Sequence, residues 1–365
     1  MRMLSLAWVC ATVACADLNP FQAPYLILDH EGGSVVTDST HVYWGTYEGI
    51  RAVEKTDESD SYLLVRFSEE EQIRELVADD NNLYWLTDTY SGDRGDAPLI
   101  LRRASKSGTA KTPFDYDTAD LEPCLPDTSE VGGLPPQNLA LDRNHVYFAA
   151  RPSNSDDFAC EAYRVPTTGN SPATSIGAPV PPAGASVNAR ALAADESAVY
   201  WVVSIEGQDG TGRLYKKGTN PESPSFDPVC DVDKSTSRMI IDDTNVWLAT
   251  RNGILRVEKE TGDPVDLVEG KKSGGTAAAL AVDDTDVYWV VVGWSMSHGG
   301  EATLYRTGKD AGGNTTQMVS FVLDAPNTDN PPYTWAISVS DGWVYSAVSL
   351  EESFGGPDGI FKIHN

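Results

Sequence analysis

The segment LAVDDTDVYW, Leu280 to Trp289, places three acidic residues between two apolar runs. Such a cluster is typical of either a cation site or a tight turn. The same arrangement recurs as VVTDSTHVYW (35–44), LVADDNNLYW (76–85), LALDRNHVYF (139–148), LAADESAVYW (192–201), MIIDDTNVWL (239–248) and ISVSDGWVYS (337–346). Each copy has an apolar triplet, an Asp (Ser340 in the last), four turn-like residues and an aromatic residue. A segment that recurs seven times indicates a repeat fold.

The spacing and contents of the repeat indicate its architecture. The repeated aromatic residues lie 41 to 63 residues apart. A loop after each copy leads to an apolar strand that ends in a basic residue, as in GILRVEKETG (253–262), and most units add a fourth β-rich stretch such as PVDLVEG (264–270). Four strands in about 50 residues form one blade of a β-propeller. The sequence therefore predicts an all-β fold, a seven-bladed propeller of four-stranded blades.

The two ends of the repeat array complement each other. GIFKIHN (359–365) is the third strand of the seventh unit and has no fourth strand after it, whereas PYLILDH (24–30) is a strand-like segment ahead of the first unit. We expect this N-terminal strand to complete the last blade and close the ring, because closure removes an unpaired sheet edge. Residues 17–365 then form a single propeller domain.

The N-terminus, MRMLSLAWVCATVACADLNP, predicts export. Arg2 precedes an apolar run of 11 residues, Leu4 to Ala14. This run is too short to span a bilayer but suits a signal peptide, which we assign to residues 1–16. Two alternatives remain: a lipobox ending at Cys15, which would be lipidated, or cleavage after Ala16. We expect an outer-membrane lipoprotein, and otherwise a periplasmic or secreted protein.

The pattern apolar-Ala-x-Asp, then Tyr-Trp, then apolar-x-Arg resembles the YWTD and NHL-type propeller repeats. LYWLTD (83–88) is the copy most similar to the YWTD signature. The chain departs from that family in two ways, because YWTD domains usually have six blades and only the second repeat keeps a nearby Thr-Asp. Together with the export signal, the resemblance implies an extracytoplasmic bacterial propeller lipoprotein. A propeller fold alone says little about function.

Composition limits the partners. The chain has 54 Asp+Glu against 27 Lys+Arg, a formal net charge of −27. Such a surface repels nucleic acids and anionic headgroups, so we expect no nucleic-acid partner and membrane contact through a lipid anchor only.

The cysteines that follow the signal peptide allow at most one internal disulfide. Cys124 lies in the long connection before blade three, and Cys160 ends the loop inside that blade. Both positions belong to one face of one blade, so the sequence predicts a Cys124–Cys160 disulfide in an oxidising compartment. Cys230 is predicted to be a buried free thiol in a fourth strand.

The repeated residues themselves have a structural interpretation. The Asp carboxylate can accept backbone N–H groups two residues on, and Ser340 is expected to do the same more weakly. A calcium loop needs oxygen ligands at alternate positions and a Gly, which no copy provides. The aromatic residues are expected to pack between neighbouring blades.

A site is expected on the face that carries the loops between strands two and three, which we call the loop face, because loops on a rigid scaffold carry binding residues. The long loops span residues 87–98, 151–160, 204–212, 291–302 and 349–359. The candidate ligand-binding residues in them are Tyr90, Arg94, Arg151, Asp209, Trp294, His298 and Glu352.

Two functions follow from this pattern. The first is a binding or scaffold module whose partner is a protein, peptide or glycan of the cell envelope, with no catalytic residue assigned. The alternative is a cation-dependent extracytoplasmic hydrolase or lyase, with Ca²⁺ held by Asp88, Asp209 and Glu352 as in propeller lactonases, although their spacing does not require it. The inner strands contain few acidic residues or histidines, which favours binding.

Overall fold

The computed structural model confirms the predicted fold, because its described residues form 29 strands in seven sheets. Neighbouring strands within each sheet are antiparallel. The described residues are 25–28, 34–46, 48–67, 71–89, 99–108, 113–118, 120–124, 137–153, 160–169, 171–180, 187–205, 211–220, 225–251, 253–269, 276–295, 299–310, 315–323, 334–349 and 359–364.

The blades follow one another along the chain, and the strands of each blade run in order from the innermost to the outermost. Blade one has β2 (Val35–Thr37), β3 (His41–Thr46), β4 (Gly49–Glu54) and β5 (Asp57–Arg66); blade two has β6 (Glu71–Ala78), β7 (Asn82–Thr89), β8 (Leu99–Ser105) and β9 (Phe114–Asp115). Blade three has β10 (Leu121–Pro123) with β11 (Leu139–Leu141), then β12 (His145–Pro152), β13 (Glu161–Pro166) and β14 (Thr174–Gly177). Blade four has β15 (Val187–Ala194), β16 (Ala198–Ile205), β17 (Thr211–Gly218) and β18 (Asp227–Asp233); blade five has β19 (Arg238–Ile241), β20 (Asn245–Thr250), β21 (Gly253–Glu258) and β22 (Pro264–Glu269). Blade six has β23 (Thr276–Val282), β24 (Asp286–Ser295), β25 (Gly299–Gly308) and β26 (Thr316–Leu323); blade seven has β27 (Thr334–Ser340), β28 (Trp343–Ser349), β29 (Gly359–His364) and β1 (Tyr25–Leu28).

The N-terminal strand closes the ring, as predicted. β1 pairs antiparallel with β29, with Tyr25 opposite Lys362 and Leu28 opposite Ile360. The last blade therefore obtains its fourth, outermost strand from the other end of the chain, and its sheet edge is covered.

The repeated aromatic residues hold adjacent blades together. The described core separates into seven apolar clusters, and each joins two neighbouring blades. In one of them Trp247 of blade five packs with Leu280 and Trp289 of blade six. Trp247 is fully buried and Trp289 is 3% exposed, so these rings form core, as predicted. Burial of aromatic side chains contributes most of the apolar area at such contacts.

The turn aspartates form the predicted Asx turns, and the opening segment shows the geometry. Asp283 Oδ1 accepts the N–H groups of Thr285 and Asp286, both at 2.8 Å. Asp283 Oδ2 accepts the hydroxyl of Tyr288 at 2.8 Å. The Asp thus orders its own turn and also anchors the repeated aromatic five residues later.

The seventh turn corrects the expectation for Ser340. Asp341 (φ 53°) and Gly342 (φ 75°) both have positive φ, and Ser340 pairs directly with Trp343. This is a two-residue turn of the kind that Asp-Gly favours in hairpins. The Ser340 hydroxyl donates to Asp341 Oδ2 at 2.9 Å and does not replace the Asx carboxylate. The blade-seven turn is therefore formed by the positive φ angles of Asp341 and Gly342 and not by an Asx hydrogen bond.

A set of charged contacts ties the blades together at the face of these turns, which we call the turn face. Lysines just after four third strands donate to a turn carboxylate of the preceding blade. The pairs are Lys106–Asp38 (2.9 Å), Lys259–Asp195 (2.5 Å), Lys309–Asp242 (2.8 Å) and Lys55–Asp341 (3.0 Å). A second basic side chain lies three positions before this lysine position in the repeat. It donates a hydrogen bond to a backbone carbonyl of the next blade. These contacts are Arg103 to Thr167, Arg164 to Thr219, Lys216 to Lys259 and Arg256 to Lys309.

Blade three departs from the regular repeat. β10 and β11 both pair with β12, at its end and at its start, so they form one inner strand interrupted by residues 124–138. The predicted disulfide between Cys124 and Cys160 is confirmed, with Cα atoms 5.8 Å apart. It joins the start of the interruption to the residue before β13. Cys230 lies in a fourth strand, as predicted, but is only half-buried.

Two of the predicted loops are shorter than expected. In blade six the strands β24 and β25 extend to Ser295 and from Gly299, which leaves residues 296–298 between them. In blade four the corresponding gap is residues 206–210. The hairpin pairing continues into sequence that looked like loop because it is rich in Gly and Ser.

Candidate functional site

The inner strands are linked to one another around the central channel by side chains that precede each turn Asp by four or five residues. Ser34 Oγ accepts the N–H of Leu76 at 3.2 Å, which joins blades one and two. Ser237 Oγ donates to the carbonyl of Ala277 at 2.7 Å, which joins blades five and six. Because these groups occupy the channel wall, the residues at this level are the candidates for contact with a ligand that enters the channel.

Glu75 of blade two is the described carboxylate at this level. Its Oε2 accepts the backbone N–H groups of Asn138 and Leu139, at 2.8 and 2.9 Å. Among the described residues no donor reaches Oε1. Glu75 is densely surrounded yet keeps some solvent-accessible surface.

Gln137 of blade three forms hydrogen bonds to two further blades. Its N–H donates to Arg190 O (3.2 Å) and its carbonyl accepts from Leu192 N (2.8 Å) in blade four. Its side-chain Oε1 accepts the N–H of Met239 in blade five at 2.8 Å. The end of the interruption in blade three is therefore hydrogen-bonded to the inner strands of the two blades that follow it.

Arg238 of blade five completes the cluster. Its charge interacts with that of Glu75. Blades two and five are not neighbours, so this interaction has to cross the channel. Burial raises the pKa of Glu75 to about 8, and the charge of Arg238 and the N–H groups of Asn138 and Leu139 oppose that rise. Burial thus favours the protonated form of Glu75, and its contacts with Arg238, Asn138 and Leu139 favour the ionised form.

The local backbone explains how polar groups come to face the channel. The pairing of the inner strand shifts between Ile73 and Glu75 in blade two and between Ala189 and Ala191 in blade four. A β-bulge of this kind redirects a side chain. In blade four the bulged residue is Arg190, which is 1% exposed and donates from Nε to Ser204 Oγ at 3.0 Å.

This cluster, Glu75, Gln137, Asn138, Arg190 and Arg238, was missed by sequence reasoning. The apolar triplets before each turn Asp suggested inner strands with few charged groups, but in four blades the residue before the triplet is polar or charged. A comparison of that position across the repeats is the signal that could have found it. It is occupied by Ser34, Glu75, Asn138, Ala191, Arg238, Ala279 and Ala336.

Most of the sequence-predicted site residues lie outside the described residues: Tyr90, Arg94, Asp209, His298, Glu352 and the lipid-attachment candidate Cys15. Trp294 belongs to β24 and its backbone pairs with Gly300, and its side chain is not described.

Arg151 is the one predicted ligand-binding residue whose side chain is described. Its guanidinium Nη2 contacts Glu122 Oε2 at 2.6 Å, and Glu122 is also its partner across β10 and β12. The pair holds β10 against the blade, close to the disulfide. A ligand contact of Arg151 stays a prediction.

The side chains that could bind a cation are dispersed over the part of the chain that the structure describes. Within it, no group of three or more His, Cys, Asp and Glu side chains is arranged to hold a metal ion. The proposed calcium residues Asp209 and Glu352 lie outside the described residues, and the side chain of Asp88 does as well. The described part of the chain also contains no helix that is long and apolar enough to cross a membrane.

The chain matches no family model and no curated protein. It does resemble solved structures: the GH74 enzyme of Niastella koreensis (15% identity, TM-score 0.61, 93% of this chain and 53% of that one) and a prolyl endopeptidase (12%, 0.58, 92% and 47%). The extracellular domain of a protein described as a hybrid two-component system of B. thetaiotaomicron is also similar (13%, 0.55, 94% and 39%). The chain spans about half of the first two and less of the third. At these identities the likeness shows the propeller fold alone.

Proposed function

We propose that this chain is an exported propeller, anchored to the membrane through Cys15, that binds a protein, peptide or glycan of the cell envelope on its loop face, over the channel. The observation that carries the binding role is the channel cluster. The reasons for export and for binding are independent of each other.

Export is supported by the disulfide. Disulfides persist in oxidising compartments outside the cytoplasm. The Cys124–Cys160 bond joins two residues that lie 36 positions apart in the sequence. Both cysteines are buried, so the bond is part of the folded core. The apolar run that begins at Leu4 and the lipobox-like residues before Cys15 supply a route for export and for anchoring.

The binding role is supported by the polarity of the channel wall. Apolar side chains around the channel would favour folding more than charged ones, because burying a charge costs free energy unless the charge is compensated. Here the charges of Glu75 and Arg238 interact although their blades are not neighbours, and Gln137 of blade three hydrogen-bonds to the inner strands of blades four and five. Such convergent polar groups at the base of a cleft are what orients a ligand.

The alternative, an extracytoplasmic hydrolase or lyase, is favoured by one feature. The pKa of Glu75 is raised to about 8 by burial, and a group with a pKa near the working pH is suited to general acid–base catalysis. A carboxyl group that interacts with one arginine is also a common structural arrangement, so we place binding first.

The test is retention of envelope components by immobilised residues 17–365. Envelope extract, a peptide array and a glycan array are each passed over the wild-type chain, over Arg238→Gln and over Arg143→Gln. Arg143 is an exposed residue of a blade-three turn, on the face away from the loops, and serves as the matched control. We expect a component to be retained by the wild type and Arg143→Gln and lost with Arg238→Gln.

Retention that is equal for all three chains, or absent for all three, would contradict binding at the channel. If instead the retained component were chemically changed by the wild type and unchanged by Glu75→Gln, the enzyme would be the correct function. The anchor is tested separately, by mass spectrometry of the mature N-terminus. An unmodified chain that begins at Asp17 would exclude the lipoprotein.

A further inference from the structure

The position of β1 shows at which face of the propeller the N-terminal segment enters the ring. β1 is the outermost strand of blade seven and runs antiparallel to β29. As a third strand, β29 runs from the loop face to the turn face, and its residue His364 lies opposite Trp343 beside the blade-seven turn. Tyr25 pairs with Lys362, two residues before His364. The chain therefore enters at the turn face, at the outer corner of blade seven.

The length of chain ahead of β1 keeps an anchor near that corner. Nine residues, 16–24, separate Cys15 from Tyr25, and fully extended they would reach roughly 33 Å. A blade strand of eight residues is itself about 25 Å long. To place the loop face against a membrane, the tether would have to run along the whole outer strand at nearly full extension.

The inner turns at this corner carry little unpaired negative charge. The residue after the turn Asp is Ser39 in blade one, Arg143 in blade three and an exposed acid in four blades, namely Asp80, Glu196, Asp243 and Asp284. In blade seven the corresponding residue is Asp341, whose carboxylate is paired with Lys55 at 3.0 Å. The outer turn of blade one adds Glu54, Asp57 and Glu58, so it is the entry point of the chain, and not charge, that singles out this corner.

The same corner carries an aromatic and basic cluster. Lys362 Nζ lies 4.2 Å from the ring centroid of Trp343, and His364 meets that ring edge-on at 4.6 Å. His364 is exposed and Trp343 is partly exposed. Tryptophan and basic residues are enriched where proteins meet the headgroups of a bilayer.

We propose that, once the chain is anchored, the turn face at blades seven and one lies against the phospholipid surface, and that the loop face points away from it. This proposal rests on the anchor at Cys15 proposed above. It assigns the membrane as the partner of the corner formed by Ser39, Trp343, Lys362 and His364. The channel mouth on the loop face is then open to envelope components.

The orientation is measured with fluorophores attached to single cysteines on vesicles. The background variant is Cys230→Ser, and the labelled sites are Ser39→Cys in the blade-one turn, Asp243→Cys in the blade-five turn and Ser153→Cys at the loop face of blade three; all three positions are exposed. The lipidated chain is placed in vesicles of phosphatidylethanolamine and phosphatidylglycerol that carry a headgroup quencher. Because the faces are separated by about 25 Å, quenching at Ser39→Cys should exceed quenching at Ser153→Cys at least about threefold, with Asp243→Cys between them.

Quenching at Ser153→Cys equal to or stronger than that at Ser39→Cys would overturn the proposal. Failure of the anchor is separated from failure of the orientation by a second chain, in which residues 1–9 are absent and six histidines replace residues 10–15, so that residues 16–24 still follow the anchor. That chain is held on vesicles with nickel-chelating lipid through the same length of tether. It reports the orientation whether or not the cell lipidates Cys15.

Discussion

Asp38→Asn tests whether the inter-blade ion pairs stabilise the ring. Asp38 Oδ1 accepts the N–H groups of Thr40 and His41, each at 2.8 Å, and Oδ2 accepts the Lys106 ammonium at 2.9 Å. An Asn at this position keeps an Oδ1 acceptor for the turn and removes the negative charge that Lys106 contacts. Asp79→Asn is the matched control, because Asp79 makes the same turn and no lysine among the described residues reaches it.

The expected magnitude follows from the burial of the pair. Hydrogen bonds to charged groups contribute about 1.5–3 kcal/mol, and an unpaired buried cation adds a desolvation cost. The Lys106 side chain is 9% exposed and that of Asp38 is 24% exposed, so screening is partial. The Tyr43 ring, 5.2 Å from Lys106 Nζ, retains part of the attraction. We expect Asp38→Asn to lower the free energy of unfolding by about 2 kcal/mol more than Asp79→Asn.

The measurement is urea unfolding at pH 7, followed by circular dichroism, with Lys106→Met and the double variant completing a cycle. Burial alone would raise the pKa of Asp38, but the hydrogen bonds from Lys106, Thr40, His41 and Tyr43 outweigh it and hold the pKa well below its usual range. Since the folded-state pKa is below the unfolded one, the stabilisation is present above about pH 4 and is lost as the pH falls further. Equal losses for the two Asp→Asn variants, or a cycle coupling near zero at pH 7, would refute this account of the pairs.

Three further outcomes follow from the structure. Replacing Cys124 and Cys160 by Ser should lower the free energy of unfolding by about 4 kcal/mol, given the separation of 36 residues, and reducing agent should produce no shift in the variant. The folded-state pKa of Glu75, about 8, lies above its ordinary value of 4.5, so wild-type stability relative to Glu75→Gln should fall as the pH rises from about 4.5 to 8; a constant difference measured by urea unfolding would contradict the buried carboxyl group. Partial burial, and next the charge of Asp231, raises the pKa of Cys230 to about 11, so this thiol should react with a disulfide reagent at pH 8 many times more slowly in the folded chain than in urea, and equally rapid labelling of the folded chain would contradict the raised pKa.

Features that depend on neighbours in sequence could be predicted. The turn of Asp283 spans three residues and follows from the pattern. Its bond to Tyr288 does not follow from the pattern alone, because Tyr200 of blade four has the same spacing from Asp195 and its buried hydroxyl has no partner among the described residues. The burial of the aromatic residues followed from their regular spacing, and the closing strand followed from the unmatched strand at each end of the array. The donor to the turn carboxylate can differ between blades. Trp247 Nε1 donates to Asp242 at 2.9 Å, whereas four other blades use a tyrosine hydroxyl at this position.

Features that depend on another blade could not be predicted. A lysine follows the third strand in four blades, but its partner lies in the preceding blade, which the sequence of one repeat does not show. In blade five, for example, Lys259 contacts Asp195, 64 positions earlier. Glu75 and Arg238 are brought together by the closure of the ring, and the bulge beside Glu75 changes which side chain faces the channel. A repeat pattern predicts the average blade, whereas a site is built from the positions at which blades differ.

The pairing of β1 with β29 also has a consequence for the order of events during synthesis. Tyr25 precedes the strands of blade one, and its partner Lys362 belongs to the third strand of blade seven, 337 positions later. Blades one to six can pair their strands as they appear, and the Cys124–Cys160 bond can form once blade three has folded. The seventh blade has to wait until β29 has been made. A chain that stops before β29 would therefore carry an open ring with unpaired edges, and such edges promote aggregation.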